Sequence, residues 1–249
     1  MNSLRTRIKT SFSAAALAIV CLPVQSAAIP GLGTWETTLQ ARDINGDGVV
    51  DAYYDTTLNI TWLANMNAGE GSAFDNGLSP TDGQMTWGNA VAWVAGGLTE
   101  FGGGWRLPTI DSNLGPWGSA TGELAHLFFV TLGNLGYCPP QATCDSNFFH
   151  PGRFGLQSTA NFENMKSRFY WTGSEYAPDR SGAWVFDNNT GYQQTQHKDT
   201  EWFAVAVHDG DVTAIPEPEA LAMMLAGLGG VGFFVRRRNR RLLVNCARF

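Results

Sequence analysis

Two apolar segments at the ends of the chain decide how much of it is available to build a globular core. At the front, Arg5, Arg7 and Lys9 precede the apolar stretch FSAAALAIVCL, the breaker Pro23 and the small residues Ser26-Ala27-Ala28. A basic start, an apolar centre and a small-residue cleavage site describe a secretory signal peptide over residues 1–28. Cys21 follows Val20 and not a small residue, which sets a lipoprotein signal aside. At the rear, the 16 residues from Ala220 to Val235 are apolar or small, and Arg236, Arg237, Arg238, Arg240 and Arg241 follow. That run is slightly short for one bilayer crossing, and the arginine cluster holds its far end in the cytoplasm. What remains to fold is about 185 residues, the size of one domain with no internal repeat.

Removing the ends changes the charge. They carry nine of the sixteen basic residues but only two of the twenty-two acidic ones, so residues 29–215 hold seven Lys and Arg against twenty Asp and Glu. A net charge of −13 excludes nucleic-acid binding by charge and attracts cations. Of the four cysteines, Cys21 leaves with the signal and Cys246 lies beyond the apolar tail, so the exported part keeps Cys138 and Cys144. In an oxidising compartment that close pair reads as a disulfide, the alternative being two unpaired buried thiols.

The middle of the chain reads as an α+β plan of mixed and antiparallel strands, two helices and long Gly-rich loops. Leu58, Ile60 and Trp62 alternate with polar neighbours, and the residues around Phe203 do the same. FYWTGSEY and GAWVFDNNTGYQQTQ are further strands, the second a hairpin turning at Asn188-Asn189-Thr190-Gly191. One helix places Trp87, Val91 and Val94 on one face, and another places Leu124, Leu127 and Phe128 together.

One stretch selects its own chemistry. In DINGDGVVDAYYD, Asp43, Asn45 and Asp47 take the first, third and fifth places of a calcium loop, Gly48 supplies the sharp turn, Val49 offers its carbonyl and Asp51 takes the ninth place. The twelfth place is Tyr54 and not the bidentate acid, so Asp55 would have to replace it. A structural calcium site over residues 43–55 is the expectation, with an unliganded Asx and Gly turn as its alternative.

Elsewhere the residues favour framework roles. Arg106 inside an apolar block requires a carboxylate, with Glu123 and Glu175 as the candidates, and a ligand-binding arginine is the alternative. Most of the nine tryptophans sit in strand or helix patterns; Trp117, in NLGPWGSA, is the candidate for an exposed ring on which a sugar could stack. No catalytic residue is selected: G-x-S-x-G, H-E-x-x-H and P-loop patterns are absent, and the four histidines lack ligand spacing.

Two resemblances join these readings. Pro216-Glu217-Pro218, the apolar run at about 220–235 and the Arg236-Arg237-Arg238 cluster resemble the PEP-CTERM sorting signal of Gram-negative bacteria, here over residues 214–241 with residues 242–249 as an extension. The resemblance implies recognition by an exosortase after signal peptidase has acted, with transient inner-membrane anchoring, then release to the cell surface or extracellular matrix. A permanent C-terminal anchor is the alternative. GGWRLPT at 103–109, YWTGSEY at 170–176, AWVF at 183–186 and the closing WFAVAV are similar to the Lcl C-terminal-domain-like family. That resemblance implies a single compact C-type-lectin-like domain over residues 29–213. Together they imply a non-enzymatic binding or adhesion module of the exopolysaccharide matrix, the alternatives being a glycan-processing enzyme or a purely structural matrix protein.

Overall fold

The computed structural model describes residues 28–111, 120–138 and 154–212. The signal segment, Trp117, Cys144 and the whole sorting tail, including the apolar run at 220–235, lie outside the described residues. Among the described residues no helix is long and apolar enough to cross a membrane.

The architecture is α+β, with two five-stranded sheets. The first contains β1 (Leu39–Arg42), β2 (Ala52–Asp55), β3 (Ile60–Leu63), β5 (Trp105–Arg106) and β10 (Val207–Asp209), in the order β1-β2-β3-β10-β5. The second contains β4 (Gln84–Met85), β6 (Phe169–Glu175), β7 (Gly182–Asp187), β8 (Tyr192–His197) and β9 (Trp202–Phe203), in the order β4-β9-β6-β7-β8. Pairing is antiparallel except between β6 and β9. The chain thus visits the first sheet, crosses to the second, and returns through β10 to a central place in the first.

That return explains why the strands do not alternate between buried and exposed residues. All four residues of β3 are buried, Thr61 as completely as Trp62. Ile60 and Trp62 belong to one core cluster with Leu124, Phe128, Tyr170 and Phe186; Leu63 belongs to a second with Ala52, Met85, Trp93, Trp105 and Trp171. In β6 and β7 the neighbours Tyr170 and Trp171, and Phe186 and Val185, divide between the same clusters. Both faces of each sheet therefore carry core, as a strand covered on both sides requires.

The helices support these clusters. After α1 (Trp35–Thr38), α2 (Trp87–Gly96) begins at Thr86, whose hydroxyl accepts from Asn89 N. Its buried face is Ala90, Trp93 and Val94, whereas Val91 is exposed and Trp87 half-buried. The expected Trp87, Val91 and Val94 face is corrected by this rotation, which carries the Trp93 ring into the second cluster. α3 (Glu123–His126) runs into a π-helical turn at Leu127–Thr131, and Leu124, Leu127 and Phe128 are all buried as expected. The β7–β8 hairpin turns at residues 188–191, where Asp187 accepts from Asn189 N and Thr190 Oγ1 and Gly191 takes φ +72°.

Candidate functional site

The β1–β2 connection carries the calcium-type loop. Asp43 accepts from Gly46 N at 2.7 Å and Gly48 N at 2.8 Å, one bond on each carboxylate oxygen. Asn45 Oδ1 accepts from Asp47 N at 3.0 Å, and Asp47 Oδ1 accepts from Val49 N at 2.8 Å. Asp51 closes the loop by accepting from Ile44 N at 2.7 Å and Asn45 N at 3.2 Å. The backbone therefore winds around the side chains at the first, third, fifth and ninth places. Gly48 has φ +87°, and a Cβ there would meet nothing within 4 Å, so this glycine serves the backbone conformation and not a tight contact.

The loop's electrostatics are unbalanced. Among the described residues no ion pair reaches Asp43, Asp47 or Asp51. Neither do three His, Cys, Asp or Glu side chains converge as a ready metal centre anywhere among the described residues. Asp55 lies elsewhere. It is fully buried at the far end of β2, where one oxygen accepts from Thr57 N and Leu58 N and the other from Thr131 Oγ1. Burial and these three donors make it a turn and core residue; the expectation that it replaces the twelfth-place acid is corrected.

Arg106 is held by a different set of carboxylates. Its Nη1 and Nη2 donate to the two oxygens of Glu123 at 2.8 and 2.7 Å, and Nε and Nη2 donate to Asp209 Oδ1 at 3.0 and 2.6 Å. Glu123 also accepts from Thr109 N at 2.6 Å, tying α3 to the segment after β5. Hydrogen bonding to Glu123 raises the guanidinium's pKa further, against the opposing effect of burial. Glu175, the other candidate partner, is exposed and pairs with Lys198 Nζ at 2.6 Å, while that Nζ sits 4.3 Å from the Trp87 ring centroid. The arginine is a framework charge whose donors are occupied.

One pair escapes sequence reasoning. Arg42 donates through Nε and Nη2 to the two oxygens of Asp211 at 2.7 and 2.8 Å. The partners are 169 positions apart, and no local pattern marks either. Trp62, Trp93, Trp105 and Trp171 are buried, and Trp87, Trp184 and Trp202 are half-buried. The stacking candidate Trp117 lies outside the described residues, as does Cys144 of the cysteine pair, whereas Cys138 is buried.

The chain continues past Val212 into the tail. Residues 214–239 match the PEP-CTERM protein-sorting motif. Pro216, Glu217, Pro218, Arg236, Arg237 and Arg238 all fall within the match. An exosortase-sorted chain of this kind is exported, anchored at the membrane and processed there, and the exosortase is its processing partner. No curated protein and no solved structure matches the chain.

Proposed function

We propose that the domain is a non-enzymatic binding or adhesion module, delivered by the exosortase route to the cell surface or exopolysaccharide matrix and stapled by calcium. The observation that carries the delivery is the sorting-motif match, which begins two residues after the last described residue, Val212. A lectin-like use of the α+β scaffold agrees with the resemblance of the WRLPT and YWTGSEY blocks to the Lcl C-terminal-domain-like family.

Calcium is supported by the loop's donor set. Asp43, Asn45, Asp47 and Asp51 present hard oxygens, the Val49 carbonyl adds another, and three carboxylates there lack an ion-pair partner. The ion would neutralise a charge that the loop's own N–H groups only partly stabilise. It would act structurally, joining β1 to β2. A Cys138–Cys144 disulfide would pin a second loop.

Such an acidic surface favours neutral stacking or calcium bridging over charge attraction for holding a polysaccharide. A pull-down on purified exopolysaccharide, comparing wild type with Trp117→Ala and varying salt and EGTA separately, tests this. Stacking survives both additions, and calcium bridging fails only with EGTA. Retention lost to modest salt at constant calcium contradicts both routes, and no retention at all leaves a structural matrix role.

A further inference from the structure

The first sheet ends in a strap. β10 finishes at Asp209, opposite Ile60, in the row that also contains Asp55 and Leu39. The next three residues double back over the sheet. Gly210 N donates to Asn59 O at 2.8 Å, Thr61 Oγ1 donates to Gly210 O at 2.7 Å, and Val212 N donates to Thr61 Oγ1 at 3.3 Å. Arg42, at the opposite end of β1 from Leu39, grips Asp211, and Val212 packs on the cluster containing Ile44, Ala52 and Leu63. The tail therefore leaves the domain beside the 43–51 loop.

Almost no chain separates that exit from the sorting motif. Pro216 follows Val212 by four residues, which span at most about 14 Å when fully extended. An exosortase holding Pro216-Glu217-Pro218 is thus brought against this end of the domain. The loop offers it an unusual tip: Val49 is 61% exposed and Val50 39%, while Asp43, Asp47 and Asp51 are engaged with the loop's own N–H groups.

We propose that the β1–β2 loop, through its exposed Val49-Val50 tip, is the surface the domain lays on the exosortase during tail processing, and that the Arg42–Asp211 pair positions it there. The inference rests on the sorting reading of the tail. Arg42 and Asp211 are positioning residues: they set where the chain exits and touch no part of the motif.

Site-specific photocrosslinking in cells that make the full chain and its exosortase tests it. A photoreactive residue replaces Val50 or, as a distant control, Leu135. The control is exposed and lies just beyond Gly133, which packs against Gly33 ahead of α1. The expected result is an exosortase adduct from position 50 and none from position 135, with Asp211→Ala losing most of the adduct. Equal adducts from both positions, capture of lipid alone at position 50, or no adduct while the tail is still removed overturns the docking surface and leaves the sorting reading standing. The sorting reading falls separately, and the docking surface with it, if replacing Pro216, Glu217 and Pro218 together by Ala leaves tail processing unchanged.

Discussion

Replacing Glu123 by Gln tests the Arg106 node most directly. The carboxylate accepts three hydrogen bonds, two from the guanidinium and one from Thr109 N, and its side chain is 13% exposed. Gln keeps the shape but presents one acceptor oxygen where the carboxylate presents two, and it turns an amide N–H₂ toward a guanidinium. At least one charge-assisted bond is lost, worth about 1.5–3 kcal/mol, and the others weaken. Asp209 remains to neutralise Arg106, which keeps the cost below the roughly 3–5 kcal/mol of stranding a buried charge. The expected loss is about 2 kcal/mol, or roughly 4–8 °C in melting temperature for a domain of this size. Asp209→Asn is the contrast, because its side chain is 77% exposed and such pairs are worth less than about 1 kcal/mol. Urea unfolding of the mature domain at neutral pH, at low and high salt, measures both. The Asp209 effect is screened by salt and the Glu123 effect largely persists. A Glu123→Gln variant as stable as wild type, or no less stable than Asp209→Asn, refutes the assignment of Glu123 as the principal partner.

Three other outcomes follow from the same physics. Saturating calcium at a hundredfold above Kd adds about 2.7 kcal/mol to stability, removed by EGTA and by Asp47→Ala; an unchanged melting curve with EGTA makes the loop a plain turn. Gly83→Ala costs about 2 kcal/mol in urea unfolding, because the position has φ +82° and its new Cβ overlaps the buried Asn67 carboxamide; a neutral result refutes that packing. Asp211, Asp209 and Glu175 are held below their ordinary pKa values by hydrogen bonds from Arg42, Arg106 and Lys198. Their contribution is therefore intact above the unfolded carboxylate values near ~4 and is lost as pH falls through the lower folded ones. An acid titration of stability follows this, and Arg42→Gln flattens part of it; an identical acid limb in that variant contradicts the pairing.

Both ends of the chain were readable from sequence because export and sorting depend on local features: charge, apolar length and small residues, read by enzymes before or outside folding. The metal-type loop was readable for the same reason. Its acceptors and glycines lie within nine positions, and the N–H groups they bind belong to the same turn. Strand placement and the β7–β8 hairpin also followed from local pattern. Choices between distant partners did not. Whether Arg106 meets Glu123 or Glu175 depends on how α3 lies against β5, and only packing decides that. Asp55 looked like a ligand by its position in the chain, yet β2 carries it one strand length from the loop and buries it against Thr131. Thr61 looked solvent-facing by alternation, but the returning strap covers it. Arg42 and Asp211 carried no sequence signal, because a side-chain pair formed by a chain doubling back over a sheet exists only once that sheet has formed.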